Sequence, residues 1–293
     1  MDVPVLFLIF KRPDTTQRVF EAIKKAQPKQ LFISADGGRN EEEKKSCNAL
    51  REAIVAQIDW DCELKILFRE NNMGCKMAVS SGISWFFEQV EQGIILEDDC
   101  LPNESFFKFC ETLLEKYKDD QNVWHIGANN FQDGIKRGNA DYFFSMYSHI
   151  WGWASWRDRW QKYQVDVNQY NLDNSLPFYT KNKMQFRYFK HRQKQVASGK
   201  MNTWDYQWLY CMWQNKGLAV LPNVNLVENI GFDSNATHTK ADSFLSSYKI
   251  SALQLSQFPD ELIQNKEADE YAFKNVFWKS SGLLTRIRYL FGF

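Results

Sequence analysis

Residues 93–102 read Gly-Ile-Ile-Leu-Glu-Asp-Asp-Cys-Leu-Pro. The apolar residues predict a short buried strand, and three consecutive acids, Glu97, Asp98 and Asp99, follow it directly. Acids gathered at the end of a buried strand repel one another, and a divalent cation offsets that repulsion. Carboxylate oxygens suit Mg²⁺ or Mn²⁺, ions that also bind substrate phosphates. The stretch therefore predicts a site for a metal and a diphosphate. The alternative is a turn in which Asp98 and Asp99 cap the helix that starts near Asn103.

A regular alternation of strands and helices surrounds this stretch. Apolar runs separated by amphipathic segments predict an α/β fold with a mainly parallel sheet flanked by helices. In such sheets, ligands bind outside the carboxyl ends of the strands. The predicted strands are residues 3–10, 30–34, 64–68 and 94–96, and the predicted helices between them start near residues 14, 40 and 73.

Polar residues follow each predicted strand, so four loops are expected to meet at one edge of the sheet. They supply a cation for phosphate, a carboxylate for a base or ribose, and glycines that permit close backbone approach. Each residue alone fits an ordinary loop, but together they favour a nucleotide site. The chain has neither a G-x-G-x-x-G fingerprint nor a P-loop. Besides the acids, the residues of this edge are Lys11, Arg12, Asp36, Gly37, Gly38, Arg69, Asn71 and Asn72.

A tryptophan-rich run at residues 149–160 opens the second half of the chain. Trp151 and Trp153 flank Gly152 and, together with Trp204, are interpreted as lining an acceptor or sugar pocket, with packing as the alternative. Trp156 and Trp160 lie four residues apart, which predicts a shared, buried helical face. Further on, residues 161–183 are predicted to form a loop, and residues 184–198 a basic helix with a solvated face.

Asp205 is the candidate general base. It opens a predicted helix and is flanked by Trp204 and Tyr206, and aromatic surroundings can raise the pKa of a carboxylate toward a useful value. The alternative is that Asp205 complements the helix dipole, with Thr203 as the cap. Two strands are predicted at residues 218–221 and 224–227, and His238 in the following loop is a candidate metal or phosphate ligand.

The composition limits the class of protein. The 293 residues carry 36 acidic and 36 basic side chains, so a general nucleic-acid binder is not expected. Hydrophobic content of 44% and 11 Trp fit a globular protein, and Trp also suits sugar handling. Six cysteines without a C-x-x-C pair predict free thiols. Without a signal pattern or a spanning apolar run, we expect a cytoplasmic protein.

Taken together, these blocks resemble a glycosyltransferase of the GT-A fold, and are similar to the inverting N-acetylglucosaminyltransferase I family. The resemblance covers roughly residues 3–239. It is carried by Arg12, by Asp36-Gly37, by Leu96-Glu97-Asp98-Asp99 with Phe106-Phe107, by Gly152-Trp153 and Arg157-Asp158-Arg159-Trp160, by Trp204-Asp205, and by Gly231-Phe232 with His238.

The resemblance implies a role for each matched residue. Arg12 and Asp36 hold the uridine end of a UDP-sugar, Asp99 binds Mn²⁺ or Mg²⁺, and Glu97 and Asp98 contact sugar and ribose. Asp205 then removes a proton from the acceptor hydroxyl, which predicts inversion at the anomeric carbon. The family enzyme has a membrane stem and this chain shows none, so a glycan or lipid-linked glycan acceptor in the cytoplasm is expected.

The resemblance also sets the expected organisation of the chain. We expect residues 1–102 to form the nucleotide-sugar-binding half, residues 103–270 the acceptor and catalytic-base half of the same domain, and residues 271–293 a basic amphipathic tail. Such a tail suits an anionic membrane surface, with docking on the domain as the alternative. Other functions left open are a sugar-nucleotide nucleotidyltransferase, a glycosidase, and a non-catalytic carbohydrate-binding or interaction protein.

Overall fold

The computed structural model of the chain describes residues 1–231 and 248–279. Its strands are β1 (Val5–Ile9), β2 (Gln30–Ala35), β3 (Glu63–Phe68), β4 (Gln92–Glu97), β5 (Cys100–Pro102), β6 (Val123–Gly127), β7 (Tyr142–Ser145), β8 (Trp153–Trp156), β9 (Leu218–Pro222) and β10 (Val227–Asn229). Its α-helices are α1 (Pro13–Ala26), α2 (Glu41–Val55), α3 (Gly74–Phe87), α4 (Glu104–Tyr117), α5 (Arg157–Trp160), α6 (Leu172–Ser175), α7 (Lys183–Ala197), α8 (Asp205–Gln214) and α9 (Lys266–Ala272).

Eight of these strands form one sheet, in the order β3-β2-β1-β4-β8-β6-β9-β7. The first four pair in parallel, and β8 runs antiparallel between β4 and β6. The predicted α/β fold with a mixed, mainly parallel sheet flanked by helices is confirmed. Strands from both predicted halves belong to this sheet, so residue 102 does not separate two independent cores.

The sheet forms where the sequence is continuously apolar. All five residues of β1 are buried, because the strand has neighbours on both sides and helices over both faces. Pro13 then starts α1, since proline fits the first turn of a helix, where its missing N–H is not needed. Val19, Phe20 and Ile23 bury one face of α1. This strand-to-helix turn holds Arg12 at the carboxyl end of β1.

Four tryptophans, Trp153, Trp160, Trp204 and Trp208, pack into one aromatic core between the sheet and α8. Trp153 and Trp204 are 0% and 2% exposed, and their rings stack with centroids 5.7 Å apart. Trp208 packs against Trp153 at the same distance. Deleting a ring such as Trp153 would cost about 3–5 kcal/mol. Trp156 and Trp160 are both buried, as predicted. The prediction that they share one helical face is wrong, because Trp156 is the last residue of β8 and Trp160 the last residue of α5.

Several predicted boundaries differ from those of the structure. The strand predicted at 224–227 lies instead at β10, where it pairs with β5. The predicted loop at 161–183 contains α6 and two short 3₁₀ turns, Val167–Gln169 and Leu176–Phe178. All six cysteines are free, as predicted.

The described part of the C-terminal tail packs on the domain. A π-helical segment, Phe273–Trp278, continues α9, and the Phe277 ring lies 4.7 Å from that of Tyr147. The apolar face of residues 271–279 therefore covers the core, as in the alternative interpretation of the tail. Residues 280–293 lie outside the described residues, and no helix within the described ranges is long and apolar enough to span a bilayer.

Candidate functional site

The three acids stand at the carboxyl end of β4. Glu97 is its last residue, and Asp98 accepts a hydrogen bond from the backbone N–H of Phe10 at 3.1 Å, just past β1. The interpretation that Asp98 and Asp99 cap the next helix is wrong. Asn103 caps α4, because its side-chain oxygen accepts from the N–H of Phe106. Asp98 and Asp99 are therefore not used as helix caps, and they lie at the carboxyl edge of the sheet.

Arg12 pairs with this cluster. Its Nη1 lies 2.6 Å from Asp99 Oδ2 and 3.8 Å from Asp98 Oδ1, and the Arg12 and Asp99 side chains are only 18% and 19% exposed. Gly231 closes over the pair: a Cβ there would lie 2.4 Å from Asp99 Oδ2 and 2.7 Å from Arg12 Nη1. The residue before it, Ile230, donates its N–H to the Asp99 carbonyl at 2.8 Å. Two of the four predicted loops therefore meet directly, beneath the end of β10.

Asp36 organises the loop between β3 and α3. Its Oδ1 accepts from the N–H groups of Met73 (2.8 Å) and Gly37 (3.0 Å), and its Oδ2 from Asn72 Nδ2 (2.9 Å) and the N–H of Gly74 (3.1 Å). A carboxylate offers about four acceptor positions, so protein donors occupy them all. The resemblance implied that Asp36 holds uridine. In this structure, Asp36 and Asn72 instead fix the shape of the loop and the start of α3.

Arginines of the same edge are also used internally. Arg69 donates to Ser34 Oγ (3.3 Å) and Ser81 Oγ (2.6 Å), which ties β3 to β2 and α3. Burial lowers the pKa of Arg69, although the nearby Asp36 opposes this. Arg51, which sequence reasoning did not identify, donates from α2 to the carbonyls of Asp36 (2.7 Å) and Arg69 (3.0 Å). It therefore clamps the ends of β2 and β3 beside the site.

Asp205 comes from a distant part of the chain, and its charge acts on the acid cluster. It is the first residue of α8, and its Oδ1 accepts from Thr203 Oγ1 and from the Tyr206 N–H. Thr203 is therefore not the predicted helix cap; Trp204 stands at that position. Burial, followed by the charges of Asp99, Asp98 and Asp205, raises the pKa of Glu97 well above its usual range.

The Cys75 thiol lies among the same acids. Burial raises its pKa to about 12, and the charges of Glu97, Asp205, Asp36 and Asp99 contribute in that order. Cys75 is the second residue of α3, so this helix start faces the region that the acids share. A hydrogen bond from the Lys76 N–H to Asn202 Oδ1, 3.3 Å long, connects the start of α3 to the segment that precedes α8. No motif in the sequence marked Cys75 or Asn202.

The donor atoms suit a hard divalent cation. Glu97, Asp98, Asp99 and Asp205 supply oxygens only, and the raised pKa values of Glu97 and of Asp98, the latter to about 7, reflect burial and mutual repulsion that a cation would relieve. Within residues 1–231 and 248–279, no three His, Cys, Asp or Glu side chains are arranged to hold a metal. Arg12 already engages Asp99 Oδ2, and His238 lies outside the described residues.

The predicted sugar-stacking tryptophans do not share one surface. Trp153 and Trp204 are buried in the aromatic core, so the interpretation that they line a sugar pocket is wrong for this structure. Trp151 is half-buried and packs edge-on against Phe131, with ring centroids 5.0 Å apart. Phe131 has a left-handed backbone, φ +53°, which is rare for a non-glycine residue. Of the three tryptophans, only Trp151 is exposed enough to keep its predicted role in lining an acceptor pocket.

Comparison with known proteins gives only distant structural similarity. No protein-family model and no curated protein matches the chain. An apo UDP-glucose pyrophosphorylase aligns over 78% of this chain and 93% of its own, with a TM-score of 0.43 and 10% identity. The mannosyltransferase PcManGT from Pyrobaculum calidifontis, in complex with GDP-Man and Mn²⁺, aligns over 57% and 49%, with a TM-score of 0.38 and 12% identity. HddC from Yersinia pseudotuberculosis aligns over 55% and 80%, with a TM-score of 0.36 and 9% identity. Scores this low identify no function.

Proposed function

We propose that the chain is a metal-dependent glycosyltransferase that transfers a hexosyl or N-acetylhexosaminyl group from a nucleotide sugar, with UDP as the expected nucleotide. The observation that carries the proposal is the position of Asp205. It comes from the start of α8, yet its charge acts on Glu97 and Cys75 at the carboxyl edge of the sheet. This interaction supports a site in which a candidate base acts beside a candidate metal–diphosphate cluster.

Each charged group has a role in this proposal. Asp99, with Glu97 or Asp98, would hold Mn²⁺ or Mg²⁺, and the ion when bound would neutralise the charge of the nucleotide diphosphate leaving group. Arg12 adds positive charge at the same place, as its 2.6 Å contact with Asp99 indicates. Asp36 and Asn72 shape the loop against which the nucleotide would lie.

Asp205 is the proposed general base. Thr203 and the Tyr206 N–H both bond its Oδ1, which fixes the direction of the carboxylate. A fixed carboxylate can accept the proton of an acceptor hydroxyl as that oxygen attacks the anomeric carbon. Attack on the face opposite the leaving diphosphate inverts the configuration, so a product with the anomer opposite to that of the donor is expected.

Product analysis tests the proposed reaction. The chain is first surveyed by thermal shift with UDP, GDP and their sugars, with Mn²⁺ or with EDTA. The best donor is then incubated with glycan and lipid-linked acceptors. Release of the nucleoside diphosphate together with a new glycoside supports the proposal. Formation of pyrophosphate from UTP and a sugar 1-phosphate would instead assign a nucleotidyltransferase, and a melting temperature unmoved by every nucleotide would exclude both.

A further inference from the structure

Helix α7 carries a stripe of cations on its outer face. Lys183, Arg187, Lys190 and Lys194 are spaced four, three and four residues apart, which aligns them on one side of a helix. Lys183, Arg187 and Lys194 are exposed, and Lys190 is partly exposed. The opposite side anchors α7 to the domain through Gln185, Tyr188, Phe189 and Val196, all buried.

The stripe is a local departure from a neutral chain. Residues 174–204 contain seven Lys and Arg and no Asp or Glu, although the whole chain carries 36 of each sign. Lys190 pairs with Asp173 at 2.6 Å. Across the part of the chain that the structure describes, Lys183 and Lys194 have no carboxylate within ion-pair distance. The positive charge of this face is therefore only partly compensated.

The C-terminal segment packs against the buried side of α7, opposite the stripe. The rings of Phe273 and Phe277 lie 5.6 Å from Tyr188 and 5.5 Å from Phe189, so this segment packs along α7. Its Lys274 and Lys279 are exposed. The sequence that continues beyond residue 279 adds Arg286 and Arg288 and contains no acid.

We propose that the α7 stripe docks on an anionic phospholipid membrane, through the phosphates of the lipid headgroups. The stripe runs for about 16 Å along the helix, and lysine and arginine side chains can reach headgroup phosphates along this whole length. Because the chain as a whole has no net charge, an anionic surface attracts this locally positive face and so orients the molecule. A polynucleotide partner fits less well, because the chain as a whole carries no excess of positive charge.

Docking of this face would place the candidate site near the membrane. Helix α8, which begins with Asp205, packs on α7: the Tyr210 hydroxyl donates to the Phe189 carbonyl at 3.0 Å. A lipid-linked acceptor would then approach from the side of the proposed base. This last step rests on the proposed function, whereas membrane docking itself does not.

Vesicle co-sedimentation tests the docking. The full chain is mixed with vesicles of phosphatidylcholine and phosphatidylglycerol, or of phosphatidylcholine alone, at low and at high salt. The stripe variant combines Lys183→Gln, Arg187→Gln and Lys194→Gln. A control variant combines Lys25→Gln, Lys45→Gln and Lys108→Gln, three exposed lysines of α1, α2 and α4 that remove the same charge. Circular dichroism verifies that both variants fold.

The expected result is salt-sensitive binding of the wild type to the anionic vesicles only. The stripe variant should bind these vesicles roughly a hundredfold more weakly, because each cation near an anionic surface raises the affinity several-fold. The control variant should bind like the wild type. Equal losses in the two variants, or wild-type binding to neutral vesicles, would overturn the proposal. The proposal would also fail if a variant with Arg286→Gln and Arg288→Gln, whose stripe is intact, no longer bound the vesicles. Binding to soluble polyphosphate as tight as binding to anionic vesicles would overturn it as well. Nucleotide-dependent thermal shifts are measured in parallel, so failure of docking stays separate from failure of the proposed reaction.

Discussion

The ion pair between Arg12 and Asp99 permits a quantitative test of the site. Their side chains are 18% and 19% exposed, with 2.6 Å between Nη1 and Oδ2. At an effective dielectric constant of about 20 and about 4 Å between charge centres, the attraction is about 4 kcal/mol. Desolvation of both groups offsets roughly half of this. We therefore expect Arg12→Gln to lower the free energy of unfolding by about 2 kcal/mol, or the melting temperature by about 6 °C.

A double-mutant cycle isolates the pair. Asp99→Asn alone should cost little, because losing the pair is offset by relieved repulsion from Glu97 and Asp98. In the Asp99→Asn background, Arg12→Gln should cost about 1 kcal/mol less than in the wild type, since Asp98 alone still attracts the guanidinium. The assay is urea unfolding followed by tryptophan fluorescence, in EDTA at neutral pH.

A surface arginine provides the control for this cycle. Arg39 is 55% exposed and pairs with Glu43, so Arg39→Gln should leave the urea midpoint almost unchanged, because exposed ion pairs contribute little. Additive effects of the two site mutations, or an equal cost for Arg39→Gln, would refute the reasoning. Mn²⁺ should also restore more stability to Arg12→Gln than to the double mutant, because only the single mutant keeps the Asp99 carboxylate.

Three further predictions concern the loop, a buried histidine and the proposed base. Gly37→Ala should cost about 1–3 kcal/mol by denaturant unfolding, because its Cβ would lie 2.4 Å from the Asn71 backbone carbon. Burial lowers the pKa of His149 to about 3, so its neutral form contributes stability above the unfolded pKa of 6.5 that is lost as the pH falls. When the pH falls from about 7.5 to about 5.5, the free energy of unfolding of the wild type should fall by about 1.4 kcal/mol more than that of His149→Phe. Carboxyl groups with raised pKa values are present in both proteins, so their effect on stability cancels in this difference. Thr203→Val should reduce turnover about tenfold with unchanged donor binding, because Asp205 loses a bond that orients it; an unchanged rate would contradict this.

The sheet could be predicted because its central strands are coded locally. The apolar runs of β1 and β4 are continuous, and the rule that ligands bind at the carboxyl ends of parallel strands placed Arg12 beside the acids. The position of β8 could not be predicted in this way. Its four residues, Trp153–Trp156, carry no signal for antiparallel pairing with both β4 and β6, because that pairing depends on strands distant in sequence.

The roles of individual side chains at the rim were harder to predict. Asp36 has the right residue type for a ribose or base contact, but a sequence does not show that the β3–α3 loop supplies four competing donors. Arg51 resembles an ordinary charge on an amphipathic helix, yet its guanidinium closes the ends of two strands. Trp153 and Trp204 suit a sugar platform by residue type, and only the packing of α8 against the sheet shows that they are buried.

Asp205→Asn separates donor binding from catalysis when it is compared with the wild type for both donor binding and turnover. With the donor sugar that gives the largest thermal shift, Mn²⁺ and the donor should raise both melting temperatures equally. Release of the nucleoside diphosphate should fall at least about a hundredfold in Asp205→Asn, because the base is lost while the donor site stays intact. Asp59→Asn, at a carboxylate that is 67% exposed, should behave like the wild type. Wild-type turnover by Asp205→Asn would contradict the account.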